Sequence, residues 1–109
     1  MGHDITLMNK KGDIISYVRF SAWDFNSKYF YDLFDAQHYN GGVSGYGQTV
    51  DYKVSEMRLA YNRYMRIREY SFIYNHDEIE HQTKRRIDKF IKYGIQAAEK
   101  DGLVRISYA

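Results

Sequence analysis

Apolar residues in this chain recur at two spacings, every second residue in four short runs and every third or fourth in three longer ones, and the order of the two leaves few folds open. A spacing of two puts side chains on one face of a strand, and a spacing of three to four puts them on one stripe of a helix. Between Asp4 and Asn9, Ile5 and Leu7 alternate with Thr6 and Met8. From Asp13 to Ser21, Ile15, Tyr17 and Arg19 alternate with Ile14, Ser16, Val18 and Phe20. Lys10-Lys11-Gly12 supplies a glycine-bearing turn between the runs, so a β-hairpin is predicted. Both faces of the second run are partly apolar, which predicts a central strand.

A helix is expected from Asn26 or Ser27, either of which can cap it through a side-chain oxygen, to about His38. Phe30, Leu33 and Phe34 form its inward stripe and Asp32 and Asp35 point outward, and Tyr39-Asn40-Gly41-Gly42 stops it. Thr49 to Val54 reads as a third strand, with Val50, Tyr52 and Val54 on one face and Thr49, Asp51 and Lys53 on the other. Ser55 then caps a helix to about Arg68 or Tyr70, with Met57, Ala60, Tyr61, Tyr64 and Met65 inward and Arg58, Asn62 and Arg66 outward.

After an aromatic connector, Ser71 to Tyr74, the longest helix is expected to open at Asn75 or Asp77 and run to about Lys100. Its inward stripe is Ile79, Thr83, Ile87, Phe90, Ile91, Gly94 and Ala98. A glycine inside a helix costs about 1 kcal/mol relative to alanine, so Gly94 implies close approach of another backbone. Glu80 to Lys84 and Asp88 to Lys92 are pairs four apart in the favourable order. Leu103 to Tyr108 is a final strand. The order ββαβααβ predicts one α+β domain over residues 1–109: a small, mostly antiparallel or mixed four-stranded sheet with three helices packed chiefly on one face.

Between the first helix and the third strand lies Asn40-Gly41-Gly42-Val43-Ser44-Gly45-Tyr46-Gly47-Gln48, where half of the chain's eight glycines sit. Glycine is kept where φ must be positive or where something approaches the main chain closely. Such a loop can turn several amides into one concavity and hold an anion. The order is not that of a P-loop, because no lysine follows in place, and it does not fit the dinucleotide fingerprint. The candidate ligand-binding residues are Gly41, Gly42, Ser44, Gly45, Tyr46, Gly47 and Thr49, with Arg58 and Arg63 from the next helix. In that arrangement the amides hold phosphate, Ser44 and Thr49 add hydroxyls, Tyr46 covers or stacks, and the arginines neutralise. The competing reading is a connector whose glycines ease a tight path.

Charge sharpens this. Residues 1–57 carry five Lys/Arg against seven Asp/Glu and residues 58–109 carry eleven against seven, so the C-terminal half is the anion-facing one. A net charge of +2 is too mild for a dedicated non-specific DNA binder. Zero cysteines exclude disulfides, thiolate metal sites and a cysteine nucleophile. His3, His38, His76 and His81 show no metal spacing, and no cofactor is expected. His3 beside Asp4 can form part of a site, since a carboxylate fixes the tautomer of a neighbouring imidazole, but such a pair at a terminus is more often a surface or sheet-edge feature. Met1-Gly2-His3-Asp4-Ile5-Thr6 fits the myristoylation pattern, but Ile5 and Leu7 belong to a buried strand and discount it. With no membrane-length apolar run and no charged-then-apolar leader, a soluble cytoplasmic protein is expected.

The tyrosine-rich composition, without Cys or Pro, resembles that of small phage-encoded proteins, a resemblance that no motif carries. The function expected is non-enzymatic: sequestration of a small phosphorylated ligand, such as a nucleotide signal, by a homo-oligomer whose exposed strand edges pair. A protein-interaction or inhibitor role through an aromatic and arginine surface is the alternative. An RNA-binding module ranks third and catalysis last, since no base, nucleophile or metal set is placed.

Overall fold

The N-terminal hairpin forms between β1 (Gly2–Met8) and β2 (Ile14–Ser21) in a computed structural model that describes residues 2–22, 24, 27–70 and 78–109. Gly12 takes a φ of 93° at its turn, and Asn9 closes the turn by accepting the Gly12 amide at 3.0 Å. β3 (Gln48–Tyr52) and β4 (Val104–Tyr108) complete one sheet in the order β2-β1-β4-β3, antiparallel at every pairing. The two long helices, α2 (Val54–Tyr70) and α3 (Glu78–Asp101), pack together as a hairpin and return the chain from β3 to β4, which inserts between β1 and β3.

β2 is an edge strand, not the central one its sequence predicts. Val18 and Phe20 are buried on its inner face, whereas Tyr17 is 52% exposed and Ile14 69% exposed on the other. Apolar side chains on both faces therefore mark an uncovered patch here, not double burial. The inner face of the sheet carries Ile5, Leu7, Val18, Phe20, Val104, Ile106 and Tyr108, all buried with Phe30, Met57, Ile87, Phe90 and Ile91 from the helices. Phe30 meets Phe90 edge to face at 5.1 Å. The opposite face presents Asp4, Tyr17, Arg19, Thr49, Asp51 and Arg105, exposed or half-buried.

The first helix, α1 (Ser27–Leu33), ends well before His38. Asp35 takes a φ of 52°, the Ala36 amide donates to the Tyr31 carbonyl at 2.7 Å and the Asp35 amide to that of Asp32 at 3.2 Å. That is a Schellman termination with aspartate at the position glycine usually holds, which is why the sequence runs on helical to the eye. A single 3-10 turn, Gln37–Tyr39, follows.

α2 starts ahead of Ser55, the expected cap: the Glu56 carboxylate accepts the Lys53 amide at 3.1 Å while the Lys53 carbonyl accepts the Met57 amide. Met57, Ala60 and Tyr64 are buried as their spacing predicts, but Met65 is exposed. In α3, Ile87, Phe90, Ile91 and Ala98 are buried. A side chain at Gly94 would strike the end of Met57 and approach Leu7, so the close approach is of side chains and not of another backbone. The expected connector Ser71–Tyr74 and the start of α3 at Asn75 or Asp77 lie outside the described residues, as do the side chains of Ile79, Glu80 and Thr83. Among the described residues no helix is long and apolar enough to cross a membrane.

Candidate functional site

The glycine-rich loop folds back on itself, with an antiparallel bridge between Asn40 and Gly45. The Gly41 amide donates to the Ser44 carbonyl at 2.8 Å, that of Gly42 to Asn40 Oδ1 at 2.9 Å, that of Tyr46 to Tyr39 at 3.1 Å and that of Gly47 to Tyr108 at 2.7 Å. Four of the amides expected to cradle an anion thus hold the loop closed and tie it to the end of β4. The glycine at position 45 is required by that contact: a Cβ there would lie 2.6 Å from the Tyr108 carbonyl and 2.9 Å from the Ala109 nitrogen. Ser44 Oγ donates to the Gly45 carbonyl, and the exposed Tyr46 ring lies over Gly41.

His3, read from the sequence as a surface or edge residue, is instead fully buried beneath this loop. Its Nε2 is 2.8 Å from the Gly42 carbonyl, which can only accept, so Nε2 donates there; Nδ1 lies 2.8 Å from the Tyr31 hydroxyl, within hydrogen-bond distance. Tyr31 leans on Tyr108, and Tyr108 stacks on Tyr39 at 5.6 Å. The Tyr108 and Tyr52 hydroxyls meet at 2.7 Å. Burial pushes the Tyr31 and Tyr52 hydroxyls up to about 12, and that of Tyr108 well above the usual tyrosine value.

These rings lead from under the loop to a cleft of about 320 Å³ at its two stems. Phe34, Asp35, His38 and Tyr39 line it from the chain entering the loop, Val50 and Tyr52 from the strand leaving it, and Glu56, Leu59 and Arg63 from α2. The last three stand at i, i+3 and i+7, one stripe of the helix. Arg63 is held by donating from Nη1 to the Leu33 carbonyl at 2.8 Å, which also satisfies an open carbonyl at the end of α1. The His38 ring lies 3.9 Å from that of Tyr39. The negative charges of Glu56 and Asp35 add to the effect of burial in keeping Tyr52 protonated, so both carboxylates bear on the cleft floor.

Of the residues picked from sequence, Arg63 alone lines this cleft. Arg58 is bound to Glu99 of α3 at 2.9 Å; five residues from Arg63, it points about 140° away around the helix. Thr49 alternates with Val50 and faces the uncovered side of the sheet. Gly42 contributes with Asn40 and Val43 to a separate hollow beside Ser27 and Lys28. Asp35, His38, Tyr39, Tyr52 and Glu56 were missed. The available signal was the Glu56-Leu59-Arg63 stripe, polar at both ends and flanking the buried row Met57-Ala60-Tyr64. Among the described residues no three histidines or carboxylates group closely enough to hold a metal ion. The sequence matches no family model, and no curated protein or solved structure matches it.

Proposed function

We propose that this protein is a non-enzymatic binder of a small ligand that joins a flat ring to an anionic group, a nucleotide being the simplest such molecule. The observation that carries the reading is the cleft itself, where a guanidinium and an imidazole share an aromatic floor with two carboxylates. In this reading the ring lies against Tyr39 and Tyr52. Arg63 and His38 face the phosphate, while Asp35 and Glu56 accept hydrogen bonds from sugar hydroxyls or an exocyclic amine. The cleft volume lies at the small end of the range for ligand pockets. The glycine loop acts as a brace that fixes Tyr39 and the start of β3, the cleft's two stems, against Tyr108.

Calorimetry with linear and cyclic nucleotides tests the proposal. Binding that is lost in Arg63→Ala and kept in Arg58→Ala supports it; no binding of any nucleotide at high micromolar concentration rejects it.

A further inference from the structure

At the other edge of the sheet, β2 runs beside α3, and a hollow of about 490 Å³ lies along it, lined by Tyr17, Val18, Arg19, Ser21 and Arg86. The direction of the main-chain groups there follows from the neighbouring strand. Asp4 and Ala109 exchange both of their backbone hydrogen bonds, at 2.9 and 3.0 Å, so on β1 the even-numbered residues face β4 and His3, Ile5 and Leu7 face β2. Their partners Phe20, Val18 and Ser16 therefore point inward, and the amides of Tyr17, Arg19 and Ser21 point out of the sheet. Those are three of the residues lining the hollow. The main-chain groups of Tyr17 and Arg19 thus stand along this slot at the repeat of a β-ladder, while at its end the Ser21 carbonyl already accepts the Asp24 amide at 3.0 Å.

The charge beside the slot that comes from α3 is mainly cationic. Arg86 stands over it from α3, and Arg85 and Lys89 adjoin. Among the described residues, Asp88 is bound to Lys92 at 2.9 Å, Asp4 to Arg19 at 3.0 Å and to the Tyr17 hydroxyl, and Asp24 sits past the end of β2 with its amide on the Ser21 carbonyl. We infer that the β2 edge takes an extended acidic segment of a partner protein as a fifth strand, its main chain paired with Tyr17 and Arg19 and its carboxylates facing Arg86. The alternation of main-chain donors and acceptors fits a strand better than a nucleic-acid backbone, which offers acceptors alone. A second copy of β2 would bring like charges together, with each Arg86 near its counterpart. This site is separate from the cleft, which lies at the opposite edge of the sheet.

The test is hydrogen exchange and titration with two synthetic peptides, one alternating Glu with Val and one alternating Lys with Val. The expected result is binding of the acidic peptide alone, slowed exchange at the Tyr17, Arg19 and Ser21 amides, and a loss of roughly tenfold or more in affinity in Arg86→Glu. Equal binding of both peptides, no binding at millimolar concentration, or protection elsewhere would overturn the inference. So would tighter binding of an oligonucleotide at this edge, or a dimer in sedimentation that protects the same amides without peptide.

Discussion

The loop and the cleft at its stems are adjacent in sequence and opposite in character. In the loop, the amides of Gly41, Gly42, Tyr46 and Gly47 are bound to acceptors of the same chain, and Gly45 is pressed against the backbone of Tyr108. In the cleft, Asp35 from the turn after α1 and Glu56 and Arg63 from α2 bring charges of both signs to the walls of one hollow. Glycine enrichment marks a place where backbone must come close, but the partner here is the protein's own C-terminal strand. The run of glycines is thus a self-contact, and the residues of the proposed site lie beside it rather than in it.

The sharpest way to break this contrast is Gly45→Ala. The added methyl has no room against main chain, and a loss of about 3 kcal/mol in denaturant unfolding is expected. Gly42→Ala, where φ is 93° and nothing lies within 4 Å, is expected to cost less, about 1 to 2 kcal/mol from backbone conformation alone. Equal costs at the two positions would mean that Gly45 is not a contact glycine.

Alkaline titration probes the rings that join the regions. Tyr31 and Tyr52 have hydroxyls raised from 10.0 to about 12, so each favours folding in its neutral form. Their contribution is fully present below pH 10 and is lost as pH rises through about 12, on the order of 2 kcal/mol for each. Unfolding free energy followed from pH 9 to 12 should fall accordingly, and Tyr52→Phe should flatten part of that fall.

Smaller effects separate the two arginines. Arg63→Ala removes a hydrogen bond to the end of α1 and should cost about 1 kcal/mol, whereas Arg58→Ala, in an exposed pair, should stay within about 0.5 kcal/mol. Thermal or denaturant unfolding of both variants checks the order; a larger loss in Arg58→Ala would contradict it.

Periodicity gave the element order, the inward row of α2 apart from Met65, that of α3 from Ile87 to Ala98 and the alternation of β1, because each depends on burial along one element. It did not give the place of β2 in the sheet, which depends on where β4 inserts after a long helical excursion. The early end of α1 was hidden because Asp35 holds the left-handed position without the usual glycine. For the site, Arg63 was visible as a cation near the loop, but its companions were not. Asp35, His38, Tyr39 and Tyr52 become neighbours of Glu56 and Arg63 only once α1 ends, the loop closes and α2 packs beside β3. His3 under the loop illustrates the same limit, since its partners Tyr31 and Gly42 are 28 and 39 residues away.

The most direct test of the account is amide chemical-shift mapping of the isotope-labelled protein during titration with a nucleoside monophosphate. The account predicts shifts concentrated at Asp35, His38, Tyr39, Tyr52 and Arg63, with the Gly41, Gly42 and Gly47 amides little changed. Shifts centred on those loop amides, with the cleft residues silent, would contradict it.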